Sequence, residues 1–363
     1  MSGVRVAVLG ASGTIARAIV RDLAESTEVD ELVLLDLDGE RAAQVAAEHG
    51  AGKASAQAVD ARDGLAPALA GCATLVNAAS YRLNLVAMEA ALEAGCDYLD
   101  LGGLYWMTAR QLELHERFAA AGRLAVLGMG SSPGKTNVMA ARGARELGDE
   151  PIAEITVAAA GRDPEPTELL RAPYALQTLL DELSMRPVVL DEGVPRELAP
   201  LTDGGIVRFP EPIGEVATIH TLHSELQTFG ASFGVRRASF RLSLAPELLQ
   251  RLERLRGAAA TEVAAAQAAA APPSEHAVSG HVVEVTAQSG RTVRVSAMTR
   301  PMADWHLGGG IVSTAAPAAA LVRLLARGHV RRVGVHAPER CVDPSDLFPE
   351  LEQRNCRFEV ATC

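Results

Sequence analysis

The chain has 363 residues, 48% of them hydrophobic and 22% charged, with a net charge of −11. That balance describes a globular protein long enough for two domains and excludes a disordered or collagen-like chain. The acidic charge and an aromatic content of only 4% argue against nucleic acid or an anionic membrane as partner. No apolar run reaches transmembrane length, and no signal peptide precedes the first strand. Five scattered cysteines without a C-x-x-C pair predict a reduced, cytoplasmic chain with no disulfide framework and no metal site.

The first predicted element is the strand Val4–Leu9, a run of strand formers that enters the turn Gly10-Ala11-Ser12-Gly13-Thr14-Ile15. A helix follows with Ala16, Ile19, Val20 and Leu23 on one face. Strand, tight turn and helix N-terminus together place backbone N–H groups where a pyrophosphate can sit. The pattern is G-x-S-G-x-x-A, with Ser12 at the second glycine of the plain fingerprint and Ile15 at the third. The second strand, Leu32–Leu35, ends in Asp36, a little over twenty residues past Gly10, where an acid grips the ribose hydroxyls of a dinucleotide. Leu37 follows, not arginine, and Asp36 would repel a 2′-phosphate. The expected cofactor is therefore NAD, with NADP as the alternative; read blandly, Asp36 is a helix cap.

Apolar runs and helix patterns alternate to residue 128, the signature of a doubly wound parallel sheet of Rossmann type. Val59-Asp60 ends a weaker strand; Asp60 either faces the adenine or is a simple loop acid. The fourth strand ends in Asn77-Ala78-Ala79, where small residues leave room for a cofactor backbone. Tyr98–Leu101 leads to Gly102-Gly103, and one helix is expected over Gln111–Ala121. After the strand Leu124–Leu127 comes Gly128-Met129-Gly130-Ser131-Ser132-Pro133-Gly134-Lys135-Thr136-Asn137. Its glycines permit close approach, and Pro133 stiffens a loop that should run near the nicotinamide. Ligands in such sheets gather at the carboxyl ends of the strands, which nominates these turns.

From 152 to 300 the pattern changes to longer strands, including Ile152–Ala160, Gly205–Phe209, Val216–His220 and Arg236–Leu244. The strands His281–Ala287 and Arg291–Ala297 are joined by a Ser289-Gly290 hairpin turn. This predicts an α+β domain with a mixed or antiparallel sheet. Ala258–Ala271 reads as an alanine-rich helix before Pro272-Pro273. From 313 the chain turns helical again, with a short strand at Val333–Val335 and an acidic helix near Pro344–Arg354. The expected domains are 1–130 for the dinucleotide, 131–312 for substrate and dimerisation, and 313–363 packing back on the first.

The segments Tyr98-Leu99-Asp100-Leu101-Gly102-Gly103-Leu104 and Leu127–Gly134 with Asn137 resemble the saccharopine dehydrogenase-like oxidoreductases. Phe209-Pro210-Glu211-Pro212-Ile213-Gly214 and Gly334-Val335-His336-Ala337-Pro338-Glu339 add to the resemblance, which is greatest to the L-lysine 6-dehydrogenase branch. It implies nicotinamide-dependent oxidation or reduction at an amine or imine carbon, a small amino acid or polyamine substrate, and a homodimer or higher oligomer. It points first to oxidative deamination of the lysine ε-amine to 2-aminoadipate 6-semialdehyde. A saccharopine- or carboxyspermidine-type reductase acting on a secondary amine is the alternative, and a non-catalytic NAD-binding sensor is a reading of another class. Lys135 departs from the apolar residue expected there and can grip a carboxylate or move a proton.

The chemistry calls for a base near neutral pH and a cation for the substrate carboxylate. His220, His223 and Glu225 are the candidates for the base, with His223 and Glu225 on one face and His220 on the other if the strand continues. Arg82, Arg171 and Arg241 are candidates for the carboxylate, and Tyr105 for the pocket wall. Each of these also has a bland reading: a solvated strand end, a salt-bridged arginine, a packed aromatic.

Overall fold

A computed structural model describes residues 3–165, 167–172 and 174–362. The chain begins β1 (Val4–Leu9), α1 (Thr14–Ala24), β2 (Val29–Asp36), α2 (Gly39–His49), β3 (Ala54–Ala58), α3 (Leu65–Ala68) and β4 (Thr74–Asn77). It continues through α4 (Asn84–Ala94), β5 (Asp97–Asp100), α5 (Leu104–Leu112), α6 (His115–Ala120), β6 (Leu124–Val126) and α7 (Lys135–Leu147). β1 forms because Val6, Ala7 and Val8 are all fully buried. Both faces of a parallel strand are covered by helices, so an unbroken apolar run is what it requires. α1 buries Ala16, Ile19, Val20 and Leu23, the face its period predicted. The helix expected over Gln111–Ala121 is instead two, α5 and α6, separated at Glu113-Leu114.

The next stretch holds β7 (Ile152–Arg162), α8 (Leu176–Ser184), β8 (Val188–Asp191), β9 (Val194–Glu197), β10 (Asp203–Arg208), β11 (Glu215–His220) and α9 (Glu225–Phe233). It ends with β12 (Arg237–Ser243), α10 (Pro246–Leu255), α11 (Ala260–Ala268), β13 (Val278–Ala287) and β14 (Thr292–Thr299). The tail is α12 (Gly309–Ala326), β15 (Gly334–His336), α13 (Pro344–Glu352) and β16 (Cys356–Thr362).

The chain divides into two compact units, Met1–Val138 with Thr314–Glu350, and Met139–Ser313 with Leu351–Cys363. The expectation that all of 313–363 returns to the first domain is corrected here. β16 pairs with β14 and so belongs to the second sheet.

The first unit carries a parallel sheet of seven strands in the order β15-β6-β5-β4-β1-β2-β3. β1 lies between β2 and β4, so the chain reverses direction across the sheet there, which opens a crevice at their carboxyl ends. α12 is long and apolar enough to cross a membrane by length and composition, contrary to the sequence reading, but 78% of it is buried. Its Arg323 donates to Asp22 of α1 (2.8 Å) and to Glu350 of α13 (2.6 Å), all three buried, which ties the tail to the first helix.

The second unit is a mixed sheet of nine strands whose main path runs β10-β11-β12-β7-β13-β14-β16. Among the described residues only β12 and β7 run parallel in this sheet; the Gly290 turn, at φ +91°, makes β13 and β14 a hairpin. The register sets Phe240, Val157, Val283 and Val295 in one row. A Cβ on Gly143 would come within 2.7 Å of Val285, so α7 lies tightly on that same face.

Candidate functional site

The dinucleotide turn is built as its glycines require. Gly10 has φ +77°, and a Cβ there would meet the Ala79 backbone at 2.8 Å. Only glycine lets the turns after β1 and β4 approach so closely. Gly13 is the N-cap of α1 and the first turn of that helix holds no acid. Its N–H groups are therefore able to meet an anion without competition from a carboxylate of that turn. Ala11 is buried beneath the turn, whereas Gly13 and Thr14 are exposed and Ile15 half-buried.

Asp36 stands at the end of β2, where its Oδ2 accepts both the N–H (2.9 Å) and the hydroxyl (2.7 Å) of Ser12. Ser12, which replaces a glycine of the plain fingerprint, thereby fixes the carboxylate against the turn. The spare lone pairs of Asp36 fit a ribose diol. Arg17 donates to the Ser12 carbonyl at 3.2 Å, a neighbour the sequence reading overlooked. Asp60 is exposed beyond β3 and accepts from the Arg62 N–H (2.9 Å), the loop-acid arrangement.

Asn77 differs from expectation. It is buried, its amide donates to Asn84 (2.9 Å) and Tyr98 (3.1 Å), and its oxygen accepts from Ala79 N–H (3.2 Å). All its polar groups are used internally, so it shapes the Ala78-Ala79 turn rather than reaching a ligand. Next to it lies a centre that sequence reasoning missed. Asp100, fully buried, accepts from Tyr98, Gln111, Gly102 N–H and Gly128 N–H at 2.6–2.9 Å. Burial pushes its carboxyl above the ordinary range, and the four donors oppose that rise. The signal was available as an acid inside an apolar strand, which has to be paired. Through Asp100 the turn at Gly102 and the loop from Gly128 are held at one carboxyl edge.

That loop is buried, and a Cβ on Gly128 would strike the Pro133 ring at 2.5 Å. Pro133 is thus packed inside the loop. Asn137 accepts from Gly134 N–H (2.8 Å) and donates to Glu339 (2.8 Å), which joins the loop motif at 127–137 to the motif at 334–339. Lys135 is 1% exposed, so it is no surface lysine. Arg82 is exposed just past β4, 4.8 Å over the Tyr81 ring, and Tyr105 is buried edge-on to Trp106.

In the second unit the strand does not continue past His220. The chain turns through Thr221–Ser224 and α9 starts at Glu225. This turn brings His223 Nδ1 to 2.9 Å from Glu225 Oε2. The imidazole stacks on Phe240, with centroids 3.5 Å apart. Glu182 of α8 stands 3.9 Å from Nε2 and accepts from the Tyr174 hydroxyl. Burial favours a neutral His223, but Glu225 by charge and hydrogen bond, then Glu182 by charge, raise its pKa. Burial also raises Glu182, against His223 and Tyr174. Glu182 and Tyr174 carry no sequence signal, since a glutamate in an amphipathic helix normally faces water.

His220 is not part of this group. Its register partner is Arg241, whereas His223 lies on Phe240, the adjacent residue, so the two histidines occupy opposite faces of the sheet. Burial and Arg241 lower the His220 pKa. Arg241 itself donates to Gly204 O (3.2 Å), and Arg171 pairs with Asp163 (2.6 Å) and Glu165 (3.5 Å). These two arginines have internal partners, which corrects their nomination for a substrate carboxylate.

Residues 6–126 match the family of the saccharopine dehydrogenase NADP binding domain. Carboxyaminopropylagmatine dehydrogenase from Synechocystis sp. is 25% identical over 275 residues, 71% of this chain and 67% of that one. The solved structure of apo saccharopine dehydrogenase (L-Glu forming) from Saccharomyces cerevisiae superposes with a TM-score of 0.71. The match covers 99% of this chain and 100% of that one at 14% identity, and it speaks for the fold alone. The first unit accordingly takes a nicotinamide dinucleotide, and the residues at the Gly10 turn and Asp36 fit it. The chain thus carries a stretch that matches the saccharopine dehydrogenase NADP binding domain over residues 6–126, and beyond it is similar to the carboxyaminopropylagmatine dehydrogenase of Synechocystis sp..

Proposed function

We propose that this chain oxidises and forms a carbon–nitrogen bond in a carboxylated secondary amine. The observation that carries the reading is the buried His223–Glu225 pair with Glu182 beside it, a proton-transfer group built into the second unit. The Synechocystis relative supports the substrate class, because its name joins a carboxylated aminopropyl group to agmatine. The bound nicotinamide supplies hydride transfer. With Nδ1–H donating to Glu225, His223 Nε2 is the nitrogen that takes or gives the proton. In the oxidative direction the substrate carbon loses hydride, the resulting iminium carbon adds water, and the C–N bond breaks as its nitrogen is protonated. Carbonyl, amine and one net proton are released. Lys135, buried at the start of α7 beside the Gly128–Gly134 loop, is the cation assigned to the substrate carboxylate. NAD is preferred, because the Asp36 carboxylate repels a 2′-phosphate.

Deamination of the L-lysine ε-amine is the second reading, favoured by the motif resemblance of the loops at 98–104 and 127–137. Absorbance of reduced nicotinamide distinguishes the two. Oxidation of reduced cofactor by a mixture of a polyamine and a carbonyl acid, with silence towards L-lysine, supports the secondary amine. Reduction of NAD by L-lysine with release of ammonia overturns it in favour of deamination. Tight NAD binding without turnover in either direction leaves a cofactor-binding sensor.

A further inference from the structure

Five buried polar side chains close a ring of hydrogen bonds at the carboxyl edge of the first sheet. Asn77 donates to the Tyr98 hydroxyl (3.1 Å) and to Asn84 (2.9 Å). Tyr98 donates to Asp100 (2.9 Å). Asn84 donates to Gln111 (3.3 Å), and Gln111 donates to Asp100 (2.6 Å). Both arms therefore end on the Asp100 carboxylate, which only accepts. None of the five is more than 1% exposed, and each has its buried polar atoms paired. A fully satisfied buried network of this kind rigidifies what it touches.

What it touches is the backbone of three turns. After β4, Asn77 accepts from Ala79 N–H (3.2 Å). After β5, Asn84 donates to Gly102 O (3.2 Å) and Asp100 Oδ1 accepts from Gly102 N–H (2.9 Å). After β6, the same Oδ1 accepts from Gly128 N–H (2.7 Å). The turn after β5 is strained, with Leu104 at φ +56°, and has to be held. The strand order β6-β5-β4-β1-β2-β3 divides a dinucleotide site into two mononucleotide halves. Gly10 and Asp36 mark the adenosine half, at the ends of β1 and β2. The three turns held by the ring belong to the other half.

We infer that Asp100 is a positioning residue for the nicotinamide half of the cofactor, acting through the turns at Gly102 and Gly128 without touching the cofactor itself. Oδ1 takes both backbone donors, and Oδ2 takes both side-chain donors. Asp100→Asn turns an NH2 group against one of these two pairs. The ring cannot reverse to absorb it, because Ala79 N–H needs the Asn77 oxygen and Gly102 O needs the Asn84 amide. The inference rests on the nicotinamide cofactor of the first unit and not on the reaction proposed above.

The test is calorimetric titration of the full chain with NADH and with ADP, which lacks the nicotinamide and its ribose. The native chain should bind NADH more tightly than ADP. Asp100→Asn should weaken NADH about tenfold or more and leave ADP within about twofold. Tyr98→Phe keeps both backbone contacts of the carboxylate but opens the ring, and should weaken NADH about threefold with ADP unchanged. That variant decides the matter if circular dichroism shows Asp100→Asn unfolded. An equal loss for both ligands makes Asp100 merely structural and overturns the inference. Unchanged NADH affinity overturns it too, as does a native chain that holds NADH no more tightly than ADP. No turnover is read, so a failure of the proposed reaction leaves this outcome distinct.

Discussion

His223 Nδ1 and Glu225 Oε2 lie 2.9 Å apart, buried in the second unit, two residues from each other across a strand-to-helix turn. The strand-to-helix turn sets this contact, and in a continued strand the two Cα atoms would lie about 7 Å apart on one face. Glu225 raises the His223 pKa by charge and hydrogen bond, so Glu225→Gln should move that pKa down. The acid limb of the pH–rate profile should move the same way. His223→Ala should cost roughly 10²–10⁴ in turnover if the ring moves the proton. Imidazole titration by NMR separates the two effects, since a merely structural Glu225 would leave the pKa in place.

The same pair sets a pH dependence of stability. A histidine whose folded pKa is raised above its unfolded value of about 6.5 stabilises the fold fully below that value. The contribution is lost as pH rises through the raised folded value. Thermal melts should therefore show native stability falling with pH above about 6.5 relative to Glu225→Gln, in which this slope is reduced. A pH-independent difference between the two proteins would refute the coupling.

Asp36 and Ser12 should separate by size of effect. Asp36→Ala removes a charged acceptor for the ribose hydroxyls and should raise the NAD dissociation constant about ten- to a hundredfold. It should also narrow the preference for NAD over NADP, because the repulsion of a 2′-phosphate is gone. Ser12→Ala removes the hydroxyl that holds the carboxylate and should weaken NAD only a few-fold, by about 0.5–1.5 kcal/mol. Calorimetric titration with both cofactors checks this.

Gly10→Ala should fail twice. Its φ of +77° is strained for any side chain, at about 1–2 kcal/mol. The new Cβ would also press on the Ala79 backbone at 2.8 Å. A lower melting temperature with lost NAD binding is expected.

Arg323 lies between Asp22 and Glu350 with all three side chains buried. Arg323→Ala takes the shared buried cation from Asp22 and Glu350, leaving Glu350 with Arg327, and should cost about 3–5 kcal/mol. The exposed Arg332→Ala should stay within about 0.5 kcal/mol. Denaturant titration of the two variants gives the comparison.

The sequence by itself determined the cofactor half. Strand, glycine turn, amphipathic helix and a terminal aspartate are local patterns, because each is dictated by neighbours within about thirty residues. The hairpin at Ser289-Gly290 and the change from parallel to mixed sheet were local in the same sense. What the tertiary structure decided is non-local. Asp100 acquires four donors only when β5, α5 and the Gly128 loop meet. Glu182 reaches His223 from a helix some forty residues earlier, a pairing no periodicity announces. Arg171 and Arg241 were plausible anchors until their partners were known, since an arginine's role depends on which carboxylates and carbonyls surround it. The faces of His220 and His223 were fixed by where the strand stopped, and that followed from α9 beginning at Glu225, a consequence of packing rather than of local pattern.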